Sequence, residues 1–242
     1  METTDKKRVQ VFIQQSGLCS RRKAEDLIAQ GLVKVNEKLV RLGDHCEETD
    51  LITVSGQPIP RASTEHTYIL MNKPKGVVTS NEDELGRETV FDVLKHTHRR
   101  KGLFSIGRLD KDTTGLIILT TDGHFAQSII HPSKDLWKVY QVQTITVLLA
   151  EDIRELQKGI YLDDCKLSPC KIRCVGDKTY ELAISEGRKR QIRLMIEHVG
   201  NQVKNLKRIA IGGLLLEKFN LREGEYKLTS RQELEREIFK KD

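Results

Sequence analysis

The chain has 242 residues, enough for one large domain and a small one with an ample core, so size demands neither a structural metal nor disulfides. Its 41 Lys and Arg residues exceed 35 Asp and Glu, a formal charge of +6 whose meaning depends on where the cations cluster. Five cysteines without a charged-then-apolar leader argue against secretion and a disulfide framework, and no apolar run approaches the roughly 18 residues that would span a bilayer, so a cytoplasmic protein without membrane segments is expected.

The first sixty residues have their own pattern. Val9 to Gln15 reads as a short amphipathic helix stopped by Ser16-Gly17. Ser20 is placed to cap a second helix, Arg21 to Gln30, in which Ala24, Leu27 and Ile28 recur on one face, and Gly31 ends it. Leu32–Val35, the Asn36-Glu37 turn, Lys38–Val40 and Leu51–Val54 read as short strands of a small curled sheet. The two prolines and missing core pattern of Gln57 to Thr64 mark a linker. The expected division is 1–64 and 65–242.

Beyond it, Thr67 to Asn72 reads as a strand entering a Lys73-Pro74-Lys75-Gly76 turn, in which Lys73 is expected to hold the neighbouring loop rather than react. Ser105-Ile106 ends one strand and Leu116 to Leu119 forms the next, with the glycine-bounded stretch GRLDKDTTG between them as an irregular loop on a rigid frame. Helices are predicted at Gly123–His131, Ala150–Gly159, Arg190–Val199 and Ser230–Lys240. Strands are predicted at Lys138–Val147, Lys171–Cys174, Tyr180–Ser185 and Ile209–Leu216. The class is α+β: a helix-helix-sheet module, then a mixed, mainly antiparallel sheet with flanking helices.

On residues alone, Asp110 reads equally as a catalytic carboxylate or as a turn-shaping residue, whereas Asp112 reads as a turn former. Pairing Asp110 with Asp112 or Asp122 would suggest hydrolysis or a metal site, but nothing nearby completes one. Cys165, Cys170 and Cys174 lie close in sequence, yet without C-x-x-C or an adjacent histidine they read as ordinary thiols. From Gly187 to Arg208 seven basic residues face one acidic residue, Glu197. In that segment Ile192, Met195, Ile196 and Val199 follow the spacing of a buried helical stripe, and Arg193 beside it needs an anion, for which Asp110 is a candidate.

Two resemblances join these readings. Ser16-Gly17, Ser20 to Ala24, GLVKVN (Gly31–Asn36) and Lys38 to Asp44 are similar to the S-four domain, a small RNA-binding module. That likeness puts an RNA face on Ser20, Arg21, Arg22 and Lys23, where cations crowding a helix's first turn oppose its dipole and a phosphate partner accounts for them.

GRLD followed by D-T-x-G-L, with N-K-P-x-G (Asn72–Gly76), K-x-Y (Lys138–Tyr140), E-G-R-x-R-Q-I-R (Glu186–Arg193) and N-L-K-R-I (Asn205–Ile209), resembles the RNA pseudouridine synthases that act on ribosomal RNA. The resemblance implies catalytic Asp110, a base-stacking Tyr140 and an Arg193 paired with Asp110. It implies RNA contacts by Arg108, Arg188, Lys189, Arg190, Lys207 and Arg208, with Leu206 packing against the active site. It further implies isomerisation of one uridine with neither metal nor organic cofactor, by a monomer acting on ribosomal RNA or a pre-ribosomal particle. G-R-x-T-V-F-D (Gly86–Asp92) leans toward the large-subunit branch. The competing expectation is a catalytically silent RNA-binding ribosome-assembly factor.

Overall fold

The computed structural model describes residues 6–60, 65–81, 83–131, 136–162 and 164–240; the end of the expected linker, 61–64, lies outside them. The chain folds as two compact units, one running to His66 together with Arg100–Leu103, the other comprising Thr67–Arg99 and Phe104 onward.

In the first unit β1 (Lys7–Arg8) leads into α1 (Val9–Gln15) and α2 (Arg21–Ala29). They are followed by β2 (Val33–Val35), β3 (Lys38–Leu39), β4 (His45–Cys46), β5 (Ile52–Val54) and β6 (Gln57–Pro58). Four of these make a sheet in the order β3-β2-β5-β6, and β1 pairs with β4. Ser20 caps α2 by accepting the Lys23 amide at 3.3 Å. Its apolar stripe, Ala24 and Ile28, closes a core with Val9, Ile13, Val33 and Val54.

The second unit begins with β7 (Tyr68–Lys73), β8 (Phe104–Ser105), β9 (Thr114–Thr120), α3 (Gly123–Ile130), β10 (Lys138–Thr144) and α4 (Ala150–Lys158). A small hairpin of β11 (Tyr161–Leu162) and β12 (Cys165–Lys166) precedes β13 (Lys171–Gly176), β14 (Thr179–Ile184), α5 (Gln191–His198) and β15 (Val203–Ile211). The chain then forms β16 (Leu214–Leu215), β17 (Tyr226–Thr229) and α6 (Arg231–Ile238). Nine strands make one sheet, in the order β13-β14-β10-β15-β9-β7-β17, with β8 on β9 and β16 on β15. The β15–β9 pair is parallel and the other pairs are antiparallel, as the sequence predicts for a mixed sheet.

Side chains alternate across a strand, so each half of this sheet can be covered on a different face. Leu116 and Ile118 of β9 lie on the Thr114 face and pack with Phe125, Ile129, Leu234 and Ile238 of α3 and α6. Val142, Leu182 and Leu206 of β10, β14 and β15 lie on the opposite face and pack with Leu156 of α4 and with Ile192, Met195 and Ile196 of α5. The last three residues belong to the apolar stripe read from the sequence, whose fourth member, Val199, is partly buried against the same cluster.

The predicted strand at Ile209–Leu216 is the main displacement: the observed strand is Val203–Ile211. Its buried face carries Leu206, Arg208 and Ala210, and an arginine in an otherwise apolar row hides the two-residue period. No helix among the described residues is long and apolar enough to cross a membrane.

Candidate active site

The Gly107–Thr113 loop leaves β8 through Gly107, at φ +71°, and folds into a turn closed by the Thr113 amide bonding to the Asp110 carbonyl at 3.0 Å. Leu109 is buried, Asp110 is half-buried, and Lys111 and Asp112 are exposed. One buried side chain thus anchors the loop while the next stays partly open to solvent. Thr79 fixes the Leu109 backbone from outside the loop, its hydroxyl donating to the carbonyl at 2.9 Å and accepting from the amide at 3.3 Å.

The end of β7 supplies the main clamp. Lys73 is fully buried, and its ammonium donates to the carbonyls of Thr113 at 2.9 Å, Pro74 at 3.0 Å and Lys111 at 3.3 Å. Burial pulls its pKa down to about 8, a shift opposed by the carboxylates of Asp112, Asp110 and Glu223. A second cation holds the other side of the turn: Arg193 of α5 donates to the Asp112 carbonyl at 3.1 Å and reaches the Val203 carbonyl at 3.5 Å. The expected Arg193–Asp110 ion pair is not formed. The guanidinium engages backbone oxygen two residues further along the same turn, and its Nε is buried without a partner.

Beneath the loop, β9 and β15 run so close that Gly115, at φ +104°, faces the Arg208 backbone where a methyl group would overlap it. Arg208 itself is 4% exposed, its Nε donating to the Leu116 carbonyl at 2.7 Å while one terminal nitrogen has no partner. The expectation that Arg208 faces RNA is therefore corrected. On the pleat it belongs to the inward row and braces β9 behind the loop. Tyr140 stands between Leu182 and Arg208 in register, half-buried against the α5 cluster.

A half-buried carboxylate on a turn held by two cations, Lys73 and Arg193, above a strand pair braced by Arg208 in register with Tyr140, is the arrangement expected of a single-carboxylate enzyme. The comparisons agree. The family model for RNA pseudouridylate synthase matches residues 67–198, and that for the S4 domain matches 7–52. The chain belongs to the RNA pseudouridylate synthase family. It is 41% identical over 208 residues to ribosomal large subunit pseudouridine synthase B of Bacillus subtilis, covering 83% of this chain and 84% of that relative. Against the dual-specificity RNA pseudouridine synthase RluF of Escherichia coli K12 it is 37% identical over 205 residues, 84% of this chain and 69% of the relative. A crystal structure of a pseudouridylate synthase superposes with a TM-score of 0.70 at 32% identity, covering 96% of this chain and 99% of that one.

The remaining expected contacts of this synthase divide by exposure. Arg21, Arg22, Lys23 and Arg108 are exposed, as are Lys189 and Arg190 ahead of α5. Arg190 sits at the helix N-cap in the left-handed region, at φ +55°. Arg188 is more committed, donating to the Cys165 thiol at 2.9 Å and lying 3.7 Å from Glu186. Buried Gln191 organises this approach by accepting the Arg188 amide at 2.9 Å and donating to Glu186 at 3.0 Å. Leu206 packs in the α5 cluster, and Lys207 points from the opposite face of β15. Thr79 and Gln191 escaped sequence reading because isolated polar residues carry no local signal for backbone bonds made across the fold.

Proposed function

We propose that this enzyme isomerises a uridine of large-subunit ribosomal RNA to pseudouridine, with Asp110 as the nucleophile or base. Residues 1–64 form its RNA-binding module and 65–242 its catalytic domain, and it acts as a cytoplasmic monomer without metal or organic cofactor. The observation that carries the reading is the half-buried Asp110 on a turn held by Lys73, Arg193 and Thr79. A reacting carboxylate gains most from such fixed geometry, since small displacements of reacting groups are costly in rate.

The target uridine leaves its stack and enters beside Tyr140, where an aromatic face can support it. With Asp110 engaged, the bond between N1 of uracil and C1′ of ribose breaks, the base turns, and C5 bonds to C1′. The C5 proton departs and N1 gains one, so substrate and product have the same atoms. Arg21, Arg22, Lys23, Arg108, Lys189 and Arg190 hold RNA phosphates.

The names of the two relatives, one a large-subunit enzyme, and the Gly86–Asp92 segment support that substrate. Mapping pseudouridine in ribosomal RNA from cells with and without the gene tests the proposal. One large-subunit pseudouridine should vanish on deletion and return with the wild-type gene; an unchanged map would refute it.

A further inference from the structure

The two faces of the β13-β14-β10-β15 half-sheet differ sharply in chemistry. On the helix-covered face, Ile172, Leu182, Tyr140, Arg208 and Gly115 lie in register across five strands. One residue along, on the other face, the register runs Arg173, Glu181, Gln141, Lys207 and Thr114, and beside it Thr179, Gln143 and Asn205. Gln141 and Asn205 are exposed, and no apolar cluster among the described residues covers these positions. A solvated sheet face needs only a scatter of polar groups, yet here amides from adjacent strands wall a cavity of about 490 Å³ together with Lys75, Lys207 and Asp112. Such a volume lies in the range of sites for small organic ligands, roughly 300–1,000 Å³. Asp112 belongs to the same turn as Asp110, so the cavity adjoins the catalytic loop.

Its walls specify a ligand. The Asn205 amide donates to Gln143 Oε1 at 2.7 Å, which fixes both side chains and leaves a donor on Gln143 and an acceptor on Asn205 for another molecule. Fixed donor–acceptor pairs read the edge of an unpaired base, and among the described residues no aromatic side chain lines the cavity to hold a base by stacking alone. The carboxylates of Asp112 and Glu223 accept hydrogen bonds, which suits an exocyclic amine and disfavours uracil, while Lys75 and Lys207 supply charge for a phosphate.

Building on the synthase reading above, we propose that this face is a second nucleotide subsite. It seats an unpaired adenine, cytosine or guanine that flanks the target uridine in the RNA chain, on the face of β10 opposite Tyr140, and it thereby sets which uridine is chosen.

The test compares two hairpins from the modified region of ribosomal RNA, identical except that the amino-bearing unpaired base flanking the target is replaced by uridine. Each flanking position is tried in turn. For the wild-type enzyme one such replacement should lower kcat/KM by about 5- to 100-fold. The Gln143→Ala/Asn205→Ala enzyme should use the cognate hairpin as poorly as the replaced one, and the near-isosteric Asn205→Asp should also narrow the gap. Wild-type indifference to every flanking base would overturn the proposal, as would undiminished discrimination in both variants, the result expected if the face docks a protein. Should wild-type enzyme form no pseudouridine on any hairpin, the synthase reading fails separately, and the affinities of the same RNAs decide the subsite. A base-dependent Kd lost in the variants supports it; equal affinities overturn it.

Discussion

Cations around the Gly107–Thr113 turn and cations at the start of α2 are the same residue types in opposite physical states. Lys73 is fully buried, Arg208 is nearly so and Arg193 is half-buried, and all three direct their hydrogen bonds to backbone carbonyls. Arg21, Arg22 and Lys23 are exposed, no acidic residue shares their helical turn, and their side chains make no bond or ion pair among the described residues. Removing a cation from water is costly unless polar groups replace the lost hydration, so a buried lysine holds backbone in one place. A solvated lysine remains available to a phosphate brought by another molecule. Burial, rather than residue type, separates the cations that shape the site from those left open to a phosphate.

The largest expected effect probes the tight ground beneath the turn. Gly115→Ala drives a methyl group into the Arg208 backbone, so unfolding in urea should show a loss of more than about 4 kcal/mol or no folded protein at all. In the N-terminal module a methyl at Gly43, φ +97°, meets open space, and Gly43→Ala should cost only backbone strain of about 1–2 kcal/mol. Equal losses at the two glycines would erase the contrast.

Next comes Lys73→Met, which removes the ammonium that holds three carbonyls. Turnover should fall about 100-fold, the scale expected for a small displacement of a reacting group, while RNA affinity stays within a few-fold. The pH dependence has a definite sign. The folded pKa near 8 lies below the ordinary 10.5 of an exposed lysine, so between these values the unfolded chain carries a proton that the folded chain has released. Stability from this group is absent below about pH 8 and rises toward pH 10.5, whereas turnover should decline above pH 8 as the clamp loses its charge. Lys73→Met should remove both trends in urea melts and kinetics; if they persist, another group is responsible.

Arg193→Met should lower turnover by a smaller factor, about tenfold or more, because Lys73 and Thr79 still hold the turn. Combined with Asp110→Asn it should be barely worse than Asp110→Asn alone, since the two act on one step. An additive double variant would show that Arg193 acts elsewhere. On the exposed side, Arg21→Glu with Arg22→Glu should weaken RNA binding and reduce the salt slope of log Kd by about two, leaving turnover at saturating RNA intact. An unchanged slope would take α2 off the RNA face. Ser20→Ala, which removes the cap on Lys23, should cost about 1 kcal/mol in a thermal melt.

The same contrast explains what the sequence discloses. Helices α2 and α5 are legible because Ser20 marks a start and the Ile192–Met195–Ile196 spacing marks a buried face. The loop around Asp110 is legible because glycines and flanking apolar strands delimit it. Arg208 is misread because a buried arginine and a phosphate-binding one share a letter, and its placement depends on the pleat register of β15 against β9. The misplaced start of β15 comes from the same residue. The Arg193 contacts with Asp112 and Val203 are illegible for a further reason: a backbone carbonyl has no residue type, so the sequence suggests only a side-chain anion.

Asp110, not its neighbour Asp112, is proposed as the reacting carboxylate of the clamped turn. Measuring pseudouridine formed by purified wild-type, Asp110→Asn and Asp112→Asn enzymes on the same ribosomal RNA fragment tests this most directly. Asp110→Asn should bind the RNA yet form no product, and Asp112→Asn should retain measurable turnover. Undiminished turnover by Asp110→Asn would contradict the account, as would loss of all turnover confined to Asp112→Asn.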